Sequence, residues 1–96
     1  MKYSLHPGAA ADIVETAAFY EARQPGLGFE FTQEVYSAVA RILEYPEAWT
    51  TVSPNTRRAL LKRFPFGVIY KIKSDHLLIL AVSDLRRLPG YWKDRA

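Results

Sequence analysis

Arginine, lysine and tyrosine carry nearly all the reactive character of this chain. Arg57, Arg58, Lys62, Arg63, Lys71 and Lys73 are threaded through strand-forming residues, and Arg86 and Arg87 follow them. Tyr70, Tyr91 and Trp92 are interleaved with this basic set. Guanidinium forks fit phosphates, and aromatic rings stack on unpaired bases. A metal-free ribonuclease could be built from such parts. A base would take the 2′-hydroxyl proton, a guanidinium would steady the phosphorane, and a third group would protonate the leaving oxygen. The same residues could instead form a cationic surface for an acidic partner. Tyr70 shares its alternation with Val68 and Ile72, which assigns it to the core rather than to chemistry.

Other chemistries find little support. His6 ends a first strand and His76 falls in a turn, and neither shows the His/Cys/Asp spacing of a metal site. Both are expected at the surface. Glu30 and Glu34 share a helical face that reads as solvated. Ser4, Ser37, Ser53, Ser74 and Ser83 have no nucleophile-elbow context. Gly26 and Gly28 precede a helix but lack the Lys-Ser/Thr that would complete a phosphate loop. The chain contains no cysteine, so disulfides, thiolate chemistry and zinc–cysteine sites drop out. No cofactor is expected.

The elements that must position the basic set follow from periodicity. Tyr3 and Leu5 alternate in a short first strand, ended by Pro7 and Gly8. Over residues 9–24, Ala10, Ile13, Ala17 and Tyr20 recur every three or four positions, widened by Val14 and Ala18, with Asp12, Glu15 and Glu21 off the stripe. This is an amphipathic helix whose alanines allow a close neighbour. Pro25-Gly26-Leu27-Gly28 forces a reversal, and a second helix over residues 29–44 buries Phe31, Val35, Ala38 and Ile42, widened by Val39 and Leu43. So short a linker makes the pair an αα-hairpin.

Tyr45-Pro46 stops the second helix, and residues 47–56 read as an irregular loop. Residues 57–84 then form an antiparallel meander of three runs, broken at Phe64-Pro65-Phe66 and at Ser74-Asp75-His76. Phe66, Val68, Tyr70 and Ile72 share one face of the middle strand. In the last strand Leu77, Ile79 and Ala81 oppose Leu78, Leu80 and Val82. One face takes the helical hairpin, and the other needs partial cover, for which a short terminal helix anchored by Tyr91 and Trp92 is the candidate.

The chain of 96 residues makes one domain, residues 1–96, with no leader-like N-terminus and no run of membrane-spanning length, so the cytoplasm is the expected location. Its charge is split. Residues 1–54 carry three cationic side chains against seven carboxylates, a net of −4, and residues 55–96 carry ten against three, a net of +7. An acidic helical half therefore meets a basic half suited to nucleic acid or to an acidic protein segment.

The order of elements and several strings resemble the RelE/ParE family of toxins from type II toxin–antitoxin (plasmid stabilisation) modules. The strings are Ala18-Phe19-Tyr20-Glu21, Pro25-Gly26-Leu27-Gly28-Phe29-Glu30-Phe31, Tyr45-Pro46-Glu47 and Arg58-Ala59-Leu60-Leu61-Lys62-Arg63-Phe64-Pro65-Phe66. They continue through Val68-Ile69-Tyr70, Leu80-Ala81-Val82, Arg86-Arg87 and Pro89-Gly90-Tyr91-Trp92. The resemblance implies an α+β fold, an N-terminal strand and αα-hairpin on a small antiparallel sheet. It also implies a bacterial growth inhibitor silenced by a cognate antitoxin in a hetero-oligomer.

Two targets are open on that resemblance. RelE-like members cleave mRNA in the ribosome with basic residues on the sheet plus a C-terminal arginine and tyrosine, which Arg86, Arg87 and Tyr91 could match. Arg57, Arg58, Lys62, Arg63, Lys71 and Lys73 would then contact nucleic acid or target. ParE-like members poison DNA gyrase by binding. Gly67 stands where RNA-cleaving members tend to carry a basic residue, and Asp84 where relatives often carry histidine. A negative charge beside a scissile phosphate is unhelpful, so the expectation leans towards gyrase. A non-toxic module that only binds antitoxin is the third reading.

Overall fold

His6 decides where the first helix begins. Its Nδ1 accepts the Gly8 amide at 2.9 Å, capping a helix that starts at Pro7, two residues before the apolar period is visible. Proline suits this first position because its missing N–H would have had no partner there. The computed structural model describes residues 1–88 and 90–95. Strand β1 (Lys2–Leu5) leads into helix α1 (Pro7–Arg23) and helix α2 (Leu27–Glu44), followed by strands β2 (Thr50–Ser53), β3 (Thr56–Leu60), β4 (Phe66–Ile72) and β5 (His76–Asp84). The chain closes in a single 3₁₀ turn, Lys93–Arg95, which is the short terminal helix expected from the sequence.

The hairpin of α1 and α2 is drawn together at its tip. Gly26 takes a φ of 89°, and a side chain on Gly28 would collide with the carbonyl oxygen of Ala17. The Glu21 carboxylate accepts the Gly26 and Gly28 amides at 2.9 and 3.0 Å. The positive end of α2 is thus neutralised from within the chain. Phe31, Val35, Ala38, Val39 and Ile42 of α2 are buried as their spacing demands. Tyr20, Phe31, Phe64 and Phe66 meet ring to ring at centroid distances between 4.9 and 6.3 Å. The stripe of α1 is rotated from the expected one. Asp12 is buried beside Ala9 and Ile13, while Val14 is 69% exposed.

The sheet has five strands in the order β1-β5-β4-β3-β2. Its antiparallel part is β2 to β5, and β1 adds in parallel to β5. Residues 47–56, read from sequence as loop, contribute β2, which pairs Thr50 with Arg58 and Thr51 with Arg57. His76 opens β5 rather than lying in a turn, and the Lys73 amide donates to its carbonyl at 2.8 Å.

The pairing slips between Ile69 and Tyr70, leaving Leu80 as an extra residue on β5. This bulge reverses the alternation beyond it. Val82 therefore joins Leu77 and Ile79 on the helical face, and Ala81 joins Leu78 and Leu80 on the far face. The expected partition of Ala81 and Val82 is corrected accordingly. On the far face, Ile69, Leu80 and Ala81 pack under Trp92, which is 5% exposed, with Tyr91 beside it. The anticipated cover is present, though only over part of the face.

Candidate functional site

Strand alternation sends Arg57 and Arg58 to opposite faces. Arg57 lies on the helical side opposite Tyr70, and its Nη1 donates to the carbonyls of Glu47 and Trp49 at 2.9 and 2.8 Å. It clamps the segment before β2. Arg58 lies on the far face opposite Ile69, with its stem over the neighbouring Gly67. A Cβ on Gly67 would come within 2.8 Å of Arg58 Cγ, so the glycine makes room for the arginine. The Arg58 Nε is buried and has no hydrogen-bond partner among the described residues.

Arg58 forms one wall of a groove of about 520 Å³. Val52, Leu60, Ile69 and Trp92 supply its apolar surface, while Ser83, Asp84, Arg87 and Lys93 stand around it. Arg87 is held with its guanidinium 4.5 Å from the centre of the Tyr91 ring, and Arg95 sits 5.1 Å from the same ring. The Tyr91 hydroxyl lies 3.4 Å from Asp12 Oδ2 and 3.5 Å from the Val82 carbonyl, and Tyr91 is not part of the groove lining. Burial, then the nearby Asp12 carboxylate, raises its pKa above the ordinary tyrosine value.

Arg86 is separated from that groove by its own partner. Its Nε and Nη2 hold both oxygens of Asp84 at 2.9 and 3.0 Å. These bonds keep Asp84 below the usual carboxylate range. Asp84, Arg86 and Arg87 also border a second hollow of about 210 Å³ on the helical side, with Asp12, Glu15 and Phe19. Arg87 is thus shared by both faces.

The remaining basic candidates are dispersed. Arg63 is paired to Glu30 at 2.9 Å and to Glu34 at 3.3 Å, and its amide donates to Glu34 at 2.6 Å. The two glutamates, expected on a solvated face, both pair with Arg63 of the β3–β4 connection, and Glu30 keeps 43% of its side chain exposed. Lys62 is exposed beside them. Lys71 borders a hollow with Thr51, Asn55 and Arg57, and Lys73 is exposed in the β4–β5 turn. Tyr70 is fully buried and its hydroxyl donates to the Pro46 carbonyl.

Sequence reasoning overlooked Lys93, Arg95 and Asp12. Asp12 bonds Arg95 and the Val82 amide, and so braces the segment that carries Tyr91 and Trp92. The signal was present: an acid lies three residues after Ala9 and one before Ile13, inside an apolar stripe. Among the described residues no group of three or more His, Cys, Asp or Glu side chains is placed to hold a metal ion. Among the described residues no helix is long and apolar enough to cross a membrane.

The fold is shared with a solved chain titled "Chromosomal ParDE TA system from P. aeruginosa". The TM-score is 0.79 at 20% identity, over 90% of this chain and 97% of that one. No curated protein matches the chain. A family model described as the ParE toxin of the type II toxin–antitoxin system parDE matches residues 3–89, which run from β1 past the Arg86-Arg87 pair. The chain belongs to the ParE toxin family of type II toxin–antitoxin systems.

Proposed function

We propose that this toxin arrests growth by binding DNA gyrase in the cytoplasm and that a cognate antitoxin neutralises it in a hetero-oligomer. The observation that carries the binding mode is the Tyr91 hydroxyl, held near Asp12 and the Val82 carbonyl while Tyr91 is missing from the groove lining. A nuclease built on the C-terminal residues would need that hydroxyl, or a base, at the open groove. Asp84 is the carboxylate on the groove wall, and Arg86 holds it ionised and occupied. His6 is spent on capping α1, and His76 lies at the opposite end of β5 from Asp84. What faces outward is cationic and aliphatic surface, sufficient for docking and poor in groups that move protons.

The antitoxin part of the reading draws on the family and on the ParDE title of the solved relative. Induction of the chain in cells, with purified gyrase assayed in parallel, tests it. The expected result is SOS induction, inhibition of supercoiling and accumulation of gyrase-linked DNA breaks, with mRNA left intact. Rapid ribosome-dependent mRNA cleavage would replace it with the endonuclease reading. Harmless overexpression without antitoxin would leave only an antitoxin-binding module.

A further inference from the structure

We propose that the far-face groove reads a carboxylate, through Arg58 and Arg87, on an extended acidic peptide whose neighbouring residue is aliphatic. The proposal rests on the toxin–antitoxin reading only for the source of that peptide, the antitoxin. The recognition chemistry is argued from the groove itself.

A buried donor without a partner is uncommon, because desolvation is not offset by any bond. Arg58 Nε is such a donor, and Gly67 keeps the guanidinium stem lying across the sheet rather than lifted into solvent. A guanidinium offers two parallel N–H groups to a carboxylate, and Nε–H is one of the forks that can supply them. Arg87 adds a second cation whose position is set by the Tyr91 ring 4.5 Å beneath it. Asp84 bonds neither Arg58 nor Arg87 among the described residues, since Arg86 takes both of its oxygens.

The floor distinguishes a peptide from an unpaired nucleic acid. Leu60 is 48% exposed there, beside Val52 and Ile69, and offers aliphatic surface. Aromatic faces for base stacking are taken. Arg87 and Arg95 lie over Tyr91, and Trp92 is buried against Ile69, Leu80 and Ala81. Stacking is what sequence-tolerant single-strand binding depends on, so the groove suits alternating acidic and aliphatic side chains better.

The test uses the full chain and three probes: a capped peptide alternating glutamate and leucine, its glutamine–leucine counterpart, and oligothymidylate. The Glu–Leu peptide is expected to shift the Arg58 Nε–Hε NMR resonance and to bind about tenfold or more tightly than the Gln–Leu peptide, the step of one charge-assisted contact. Arg58→Lys, which keeps the charge but removes the fork, should erase most of that preference. Equal affinity for the two peptides, an unmoved Arg58 resonance, or tighter binding of oligothymidylate would overturn the proposal. The peptide comparison on the unsubstituted chain stands even if Arg58→Lys folds poorly. Gyrase assays on the same preparation report separately on the target, so failure there leaves the carboxylate subsite standing or falling on its own data.

Discussion

Asp12 and Arg95 form a carboxylate–guanidinium pair, Oδ2 to Nη1 at 2.8 Å, along the stretch of β5 edge that β1 does not reach. β1 pairs with β5 only as far as Ile79. Beyond it, Asp12 accepts the Val82 amide at 3.0 Å and Arg95 donates to the Leu80 carbonyl at 3.1 Å. Two side chains thus occupy backbone groups that a longer strand would have paired, and cover an edge that would otherwise invite another strand.

Removing Asp12 leaves a buried amide and a guanidinium without their acceptor. Asp12→Ala is expected to destabilise the fold by about 2–4 kcal/mol. Arg95→Ala should cost less, roughly 1–2 kcal/mol, because Asp12 still holds the Val82 amide. Urea unfolding of both variants checks the order. An Asp12→Ala penalty no larger than that of Arg95→Ala would mean the edge is closed by something else.

Tyr70 makes stability sensitive to alkali. Burial pushes its pKa up to about 12 against the opposing pull of Arg57. The ordinary tyrosine value is near 10, so between the two values the folded state holds a proton that the unfolded chain has released. Stability from this source is full below pH 10 and is lost as pH rises through about 12, with a slope of up to about 1.4 kcal/mol per pH unit. Tyr91 is raised too and acts in the same direction. Tyr70→Phe should be about 1 kcal/mol less stable at neutral pH, having lost its bond to Pro46, yet show a shallower alkaline decline. Thermal unfolding between pH 8 and pH 11.5 reads the difference, and parallel curves for the two proteins would refute it.

Local pattern made the helical hairpin and the β3–β5 meander legible, most directly in α2 and β4, whose buried positions recur without a break. Phe31, Val35, Ala38 and Ile42 needed no tertiary knowledge. Features set by distant partners were not legible. Asp12 looks like a surface acid until Val82 and Arg95, seventy and eighty-three residues away, are placed beside it. The bulge at Leu80 is invisible in a strand that is apolar at every position from Leu77 to Val82, since either phase of alternation satisfies the sequence. β2 carries only Val52 as a strong apolar residue and depends on pairing with β3. The basic set shows the same divide. Charge asymmetry revealed that a cationic half exists, but Glu30 and Glu34 on Arg63, and Asp84 on Arg86, determine which cations remain open.

Gly28 packs directly against the main chain of α1. A methyl group there would strike the Ala17 carbonyl oxygen, which is main chain and cannot rotate away. Gly28→Ala should therefore cost about 1–3 kcal/mol through displacement of α2. Gly26→Ala meets no atoms, and its cost should come only from holding alanine at a φ of 89°, about 1–2 kcal/mol. Loss of hydrogen-exchange protection around Ala17 and Glu21 in Gly28→Ala, but not in Gly26→Ala, would separate the two causes. Equal, local effects would show that crowding is relieved elsewhere.

Tyr91 offers the sharpest division between chemistry and docking. Its hydroxyl faces Asp12 and Val82, at 3.4 and 3.5 Å, and its ring supports Arg87. Tyr91→Phe keeps the ring and removes only the hydroxyl. Growth arrest should persist within about twofold, with stability lower by about 0.5–1 kcal/mol. Arg87→Ala removes an exposed cation that borders both hollows, and arrest should weaken by about tenfold or more, the scale of a lost interfacial charge contact. Plating efficiency under graded induction measures the first effect, and unfolding curves measure the second. If Tyr91→Phe abolishes arrest while its unfolding curve is unchanged, the hydroxyl takes part in a reaction and docking alone is not how this toxin acts.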